Sequence, residues 1–178
     1  MKNEVLDVLK NRRSVRSFKT EQIKKEELEA VLEAGTFAPT AKNCQDPVIV
    51  AVQDPEMLAR VRKLNAEVMG KPDIDPYYGA PTVILVLIDP DLCRSRELGL
   101  LDGAAAQMNM LNAAFALGLG SCWINRPQTM FELPEGKQIL RDMGLKENLF
   151  GVASFSLGYA DCETPEARPR KEGYAVVY

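Results

Sequence analysis

The chain has 178 residues, a net charge of −3, four Cys and no His. Its length suits one domain over residues 1–178, able to bury roughly 70% of its unfolded surface with no disulfide or metal staple. The missing His excludes a Ser-His-Asp or Cys-His nucleophile pair, a His-based zinc site and an imidazole acid or base, so any demanding chemistry must come from a bound group.

Val5, Leu6, Val8 and Leu9 predict a short first helix ending near Asn11. Residues 24–38 read as a second helix, with Leu28, Val31, Leu32 and Ala34 near helical spacing and Pro39 as its stop. Residues 47–52 are a compact apolar run and predict a buried strand. Asp54 as cap and Pro55 in the first turn start a third helix reaching Met69. Residues 70–81 are turn-rich and form a loop, either a plain connection or a lid carrying Tyr77 and Tyr78. Residues 82–88 predict a second buried strand. From Leu98 to Asn125 the only charge is Asp102, and residues 104–117 form a helix apolar nearly all round, hence central and buried. Gly118 and Gly120 end it. A short strand over 121–124, a helix over 134–143 and a strand over 151–157 follow. The tail from Ala160 is polar and Pro-rich, and residues 174–178 look strand-like. The pattern is α+β, with a mostly antiparallel or mixed sheet of about four strands plus a terminal one.

Cys44, Cys93, Cys122 and Cys162 include no C-x-x-C, which argues against a zinc ribbon or a thioredoxin-like motif. The N-terminal segment has no apolar signal-peptide core, and no run of 18 apolar residues suggests a membrane span. A cytoplasmic protein with reduced thiols is expected. The overall charge gives no reason to expect a nucleic-acid or membrane partner. Residues 1–25 nevertheless carry eight basic and three acidic residues, a local +5. A basic end on an acidic chain suggests a specific small anion.

Four motifs stand out. Arg12-Arg13-Ser14-Val15-Arg16 makes either a phosphate clamp, through bidentate guanidinium donors and a hydroxyl, or a solvated basic turn. Ala38-Pro39-Thr40-Ala41-Lys42-Asn43-Cys44-Gln45 is an ordinary connection or a loop whose amides read a heterocycle. In Gly118-Leu119-Gly120-Ser121-Cys122-Trp123-Ile124, the glycines either admit a flat ligand or cap the helix. Arg168-Pro169-Arg170-Lys171 is a flexible basic tail or the second half of an anion site.

Together, and in this order, these four motifs and the closing Leu157-Gly158-Tyr159 resemble the nitroreductase family of flavoproteins. The resemblance implies an α+β fold in an entwined homodimer with an exchanged C-terminal strand. It implies FMN at the dimer interface, touched by both chains. It implies that NADH or NADPH reduces the flavin, which then reduces a small-molecule acceptor, commonly a nitroaromatic or quinone, in a ping-pong cycle. By the same resemblance, Arg12, Ser14 and Arg16 hold the phosphate and ribityl chain, with Arg13 between them. Pro39, Thr40 and Asn43 reach the flavin from the partner chain. Asn65 lies near the flavin pyrimidine, Ser121 and Cys122 near the reactive edge, and Arg168 and Arg170 at the phosphate. Arg12 and Lys42 are candidates to face flavin N1 and O2. No catalytic side chain and no metal are implied, because the flavin carries the chemistry. Gln45-Asp46-Pro47-Val48 departs from the family, where an aromatic commonly follows Gln-Pro. A different flavin task (dehalogenation, enone reduction, flavin fragmentation) and flavin binding without turnover are the alternatives.

Overall fold

Local polar signals set the starts of most helices. The computed structural model describes residues 3–178; Met1 and Lys2, part of the N-terminal segment read for a signal peptide, lie outside the described residues. Asn3 Oδ1 accepts the Leu6 N–H at 3.1 Å and caps α1 (Glu4–Asn11). In α2 (Lys25–Thr36), Glu27 reaches back to the Lys24 N–H at 3.0 Å. This helix stops two residues before the predicted end at Ala38, because Pro39 disfavours helical backbone in the residue ahead of it. A single 3-10 turn spans Ala41–Asn43. Asp54 Oδ1 accepts the Met57 N–H at 2.8 Å and caps α3 (Pro55–Val68), with Pro55 at its first position. Ser95 Oγ accepts from Leu98 N–H and starts α4 (Arg96–Ala116), eight residues ahead of the predicted start at Ala104. Arg96 and Glu97 at its start are charged and exposed, so they fall outside the apolar run. The one-turn α5 (Pro127–Met130) was not predicted, and α6 is Pro134–Asp142.

The strands are β1 (Pro47–Val52), β2 (Thr82–Ile88), β3 (Gly120–Ile124) and β4 (Phe150–Gly158). They form one sheet in the order β1-β2-β4-β3, and every pairing is antiparallel. The compact apolar run of β2 is explained by cover on both faces. Val83, Leu85 and Leu87 join Leu58, Val61, Met130 and Ile139 of α3, α5 and α6 on one side. Ile84, Val86 and Ile88 join Val31, Met110 and Leu111 of α2 and α4 on the other. Gly35 lets α2 approach closely, since a Cβ there would lie 2.8 Å from Ile49 Cδ1 and from Met110 Cγ.

Three further expectations differ from the structure. β1, expected as a buried strand, lies at the sheet edge with only Val52 buried, because it has a neighbour on one side alone. Residues 174–178 form no strand within the chain. A strand needs a partner backbone, and residues 161–178 lie exposed, the last backbone tie to the body being Asp161 N–H to Ser17 O at 2.9 Å. The central helix is also not covered all round. Its Gly103, Met110, Leu111 and Ala114 are buried, but Leu101 is 65% exposed and Leu98 and Met108 are also exposed. Val5, Leu6 and Leu9 of α1 are exposed as well.

Candidate functional site

Residues 12–19 leave α1 and cross the end of the sheet. Val15 N–H donates to Ser121 O at 2.9 Å, and Lys19 N–H donates to Tyr159 O at 2.9 Å. Ser14 thereby bridges to Ser121 at the start of β3, and Phe18 bridges to Ala160. Val15 and Phe18 are buried beneath the crossing. Two glycines make room: a Cβ at Gly120 would lie 2.9 Å from Val15 Cγ1, and one at Gly158 would lie 3.2 Å from Phe18 Cδ1. Gly118, at φ +77, ends α4. Within the chain, then, the paired glycines serve the helix end and this crossing.

Once Val15 is anchored inward, its neighbours line a cleft of about 540 Å³. Arg12, Arg13, Ser14 and Arg16 form one wall, and Glu166, Arg168 and Arg170 of the tail form the other. The two basic motifs, more than 150 residues apart in sequence, meet here. Five guanidiniums face one carboxylate, and among the described residues none of the five makes an ion pair. Burial first, then the neighbouring Arg13, pulls the Arg12 pKa below its ordinary value, while Cys122 opposes them. Burial pushes the Cys122 thiol up, against the pull of Arg16, Ser14 and Arg12, so it is not an activated thiolate. Ser121 Oγ is buried and has no hydrogen-bond partner. Guanidiniums without an ion-pair partner and the Ser14 hydroxyl suit a small phosphate-bearing ligand.

Thr40 and Asn43 line a separate recess of about 200 Å³ beside Gly35, Gln45 and Ile49. It shares no lining residue with the arginine cleft. Pro39 is exposed and lines neither. One chain therefore does not bring the two predicted half-sites together. The loop is held in left-handed backbone at Lys42 (φ 58), Asn43 (φ 56) and Gln45 (φ 51). Thr40 Oγ1 accepts the Gln45 N–H at 3.0 Å, and Asp102 Oδ2 accepts the Ala41 N–H at 2.9 Å.

Asn65 is not brought to the cleft. It is fully buried, its Nδ2 donates to Tyr77 Oη at 2.7 Å, and its Oδ1 accepts from Arg126 Nε. Its amide is engaged because Tyr77, inside the 70–81 loop, is itself fully buried and needs partners, the second being Ser154 Oγ at 3.0 Å. Burial pushes the Tyr77 pKa up to about 12. The loop is pinned by this side chain and by Asp75, which accepts from Tyr77 N–H at 2.9 Å and Gly79 N–H at 2.8 Å. That favours the plain connection over the lid. Sequence reasoning missed Glu166 in the cleft and the buried Asp46 and Asp102 under the Thr40 loop. Asp102 carried a signal, as the lone charge in a long apolar stretch.

Residues 9–159 match the profile of the nitroreductase family. A relative from Archaeoglobus fulgidus, named among NADH dehydrogenase/NAD(P)H nitroreductases, is 32% identical over 88% of this chain and 85% of its own. A Vibrio harveyi protein named NADPH-flavin oxidoreductase is 26% identical over 99% of this chain and 73% of its own. Among solved structures, a Bacteroides fragilis nitroreductase with bound FMN superposes with a TM-score of 0.88 at 30% identity, over 99% of this chain and all of that one.

Proposed function

The chain belongs to the nitroreductase family, and from that premise we propose that it is an FMN-dependent oxidoreductase using NADH or NADPH. The single observation that carries this is the cleft lined by Ser14 and by five guanidiniums that make no ion pair among the described residues. That donor set fits the phosphate of FMN. Arg12, Arg13, Arg16, Arg168 and Arg170 would neutralise the phosphate, and the Ser14 hydroxyl would bond to the ribityl chain or phosphate. Backbone at Ser121 and Cys122 would border the ring system. When bound, the flavin supplies the redox chemistry, accepting hydride from the nicotinamide and passing electrons to the second substrate.

No side chain of this chain needs to act as general base, which agrees with the absence of His. Protons for the acceptor come from water. The substrate is a small nitroaromatic, quinone or similar acceptor, reduced in a ping-pong cycle after the nicotinamide product has left.

The functional unit in this reading is a homodimer. The exposed apolar residues of α1 and α4, Val5, Leu9, Leu98 and Leu101 among them, support it, because a second copy would remove them from water. It also supplies the Thr40–Asn43 loop that one chain holds apart from its own cleft. Four free thiols suit the reducing cytoplasm as location, and no described helix is long and apolar enough to cross a membrane.

The test is titration of flavin-free protein with FMN, followed by flavin fluorescence. Saturable uptake of two FMN per dimer is expected. A protein that takes up none overturns the proposal.

A further inference from the structure

Two buried acids sit beneath the Thr40–Gln45 loop. Asp46, just ahead of β1, is fully buried, and Asp102, in the second turn of α4, is 8% exposed. The ligand atoms of Asp46, Asp102 and Cys44 lie within 4.8 Å of one another. Cys44 Sγ donates to Asp46 Oδ1 at 3.3 Å and approaches Asp102 Oδ2 at 3.8 Å. Asp46 O accepts the Asp89 N–H at 2.9 Å, which ties the pair to the end of β2. Asp46 Oδ2 lies under Gly99, where a Cβ would come within 3.3 Å, and it has no hydrogen-bond partner.

Two carboxylates this close and this buried do not both stay ionised without a cation. Among the described residues neither makes an ion pair, and the titratable groups around them are Cys44, Cys93 and Asp89. Asp89 is already paired with Lys146 at 2.7 Å. The acid pair also holds something that needs holding. Lys42, Asn43 and Gln45 all have left-handed backbone, which non-Gly residues keep only where the surroundings enforce it. Asp102 is the group that takes the loop's Ala41 N–H.

We propose that Asp46 and Asp102 share one proton, held between their carboxylates, and that this pair positions the Thr40–Gln45 loop for flavin binding. The proton bonds Asp46 to the Asp102 carboxylate, whose Oδ2 accepts the Ala41 N–H. Burial, followed by the charge of Asp102, raises the pKa of Asp46, against hydrogen bonds from Cys44 and its own backbone. As pH rises through that raised pKa, the proton is lost, two like charges face each other, and the loop is released. Asp46 and Asp102 are positioning residues, and their effect on FMN rests on the reading given above.

The test uses the full-length dimer and has two arms. The first does not need FMN. Infrared spectra at neutral pH should contain a protonated carboxylic acid band that disappears in Asp46→Asn. Exchange of the Ala41 amide should quicken at least about tenfold in Asp102→Ala yet stay slow in Asp46→Asn. A wild-type protein without that band, or with Ala41 exchange indifferent to Asp102, overturns the pair even if FMN binds well. The second arm is FMN titration against pH. Affinity should fall on the alkaline side in wild type and lose that limb in Asp46→Asn, whose amide mimics the protonated acid. Asp46→Ala should weaken FMN at least about tenfold at neutral pH, the scale of one lost hydrogen bond to a charged group. An alkaline limb unchanged in Asp46→Asn overturns the proposal. A wild type that shows the acid band but binds no FMN overturns the flavin reading and leaves the pair standing.

Discussion

Replacing Arg12 by Ala separates ligand binding from folding within one residue. The Arg12 side chain is half-buried, sits beside the like-charged Arg13, and donates no hydrogen bond among the described residues. Its burial and its neighbour both disfavour its charge in the free protein. A bound phosphate reverses that balance by accepting a charge-assisted bond. Such bonds contribute about 1.5–3 kcal/mol, which corresponds to a loss of about tenfold to 150-fold in FMN affinity. Four other guanidiniums remain around the cleft, so binding is weakened and not abolished. The flavin-free protein loses no hydrogen bond or ion pair of that guanidinium among the described residues, so its melting temperature should hold or rise. The assay is a fluorescence titration with FMN, paired with thermal melts of wild type and variant without FMN. An unchanged FMN Kd removes Arg12 from the site. A flavin-free variant destabilised by more than about 1 kcal/mol makes it a folding residue instead, above the usual surface-substitution effect.

Leu101→Glu places a charge on the exposed apolar face of α4, at a residue 65% exposed in the single chain. Size-exclusion chromatography should show a folded monomer with weakened FMN binding; a dimer that persists would move the interface elsewhere. Tyr77→Phe leaves Asn65 Nδ2 and Ser154 Oγ without their buried partner, and chemical denaturation should read a loss of about 1–3 kcal/mol. The same variant changes the response to alkali. The folded-state pKa of Tyr77 is raised from 10.0 to about 12, so its stabilisation is complete below pH 10 and is lost as pH rises through about 12. Wild-type stability should fall by about 2–3 kcal/mol across that window, from about 1.4 kcal/mol per pH unit. That component should be absent in the Phe variant, and an identical alkaline fall in both would refute the assignment.

Legibility followed the range of the forces involved. The Asp54-Pro55 start of α3 was plain because a cap and a first-turn proline act within four residues. The β2 run was plain because every residue in it is buried. The meeting of Arg12 and Arg16 with Arg168 and Arg170 was not readable from spacing; it came from the family's motif order. Whether Gly120 faced a ligand or the chain was open, since only the packed crossing shows Val15 against it. Tyr77 was hidden in a turn-rich loop whose composition says exposed while its packing says buried. The residue-174–178 segment has strand-forming side chains, but a strand also needs a backbone partner, and within the chain these residues meet none. Asn65 looked available because an amide's partners are set by tertiary contacts from Tyr77 and Arg126.

In the proposed function the arginine cleft holds a flavin that nicotinamide reduces. The direct measurement is anaerobic mixing of the FMN-loaded protein with NADH, and separately NADPH, followed by addition of a quinone or nitroaromatic. Bleaching of the flavin absorbance by at least one nicotinamide, and its return on adding the acceptor, is the expected result. A flavin that stays oxidised with both nicotinamides would contradict it.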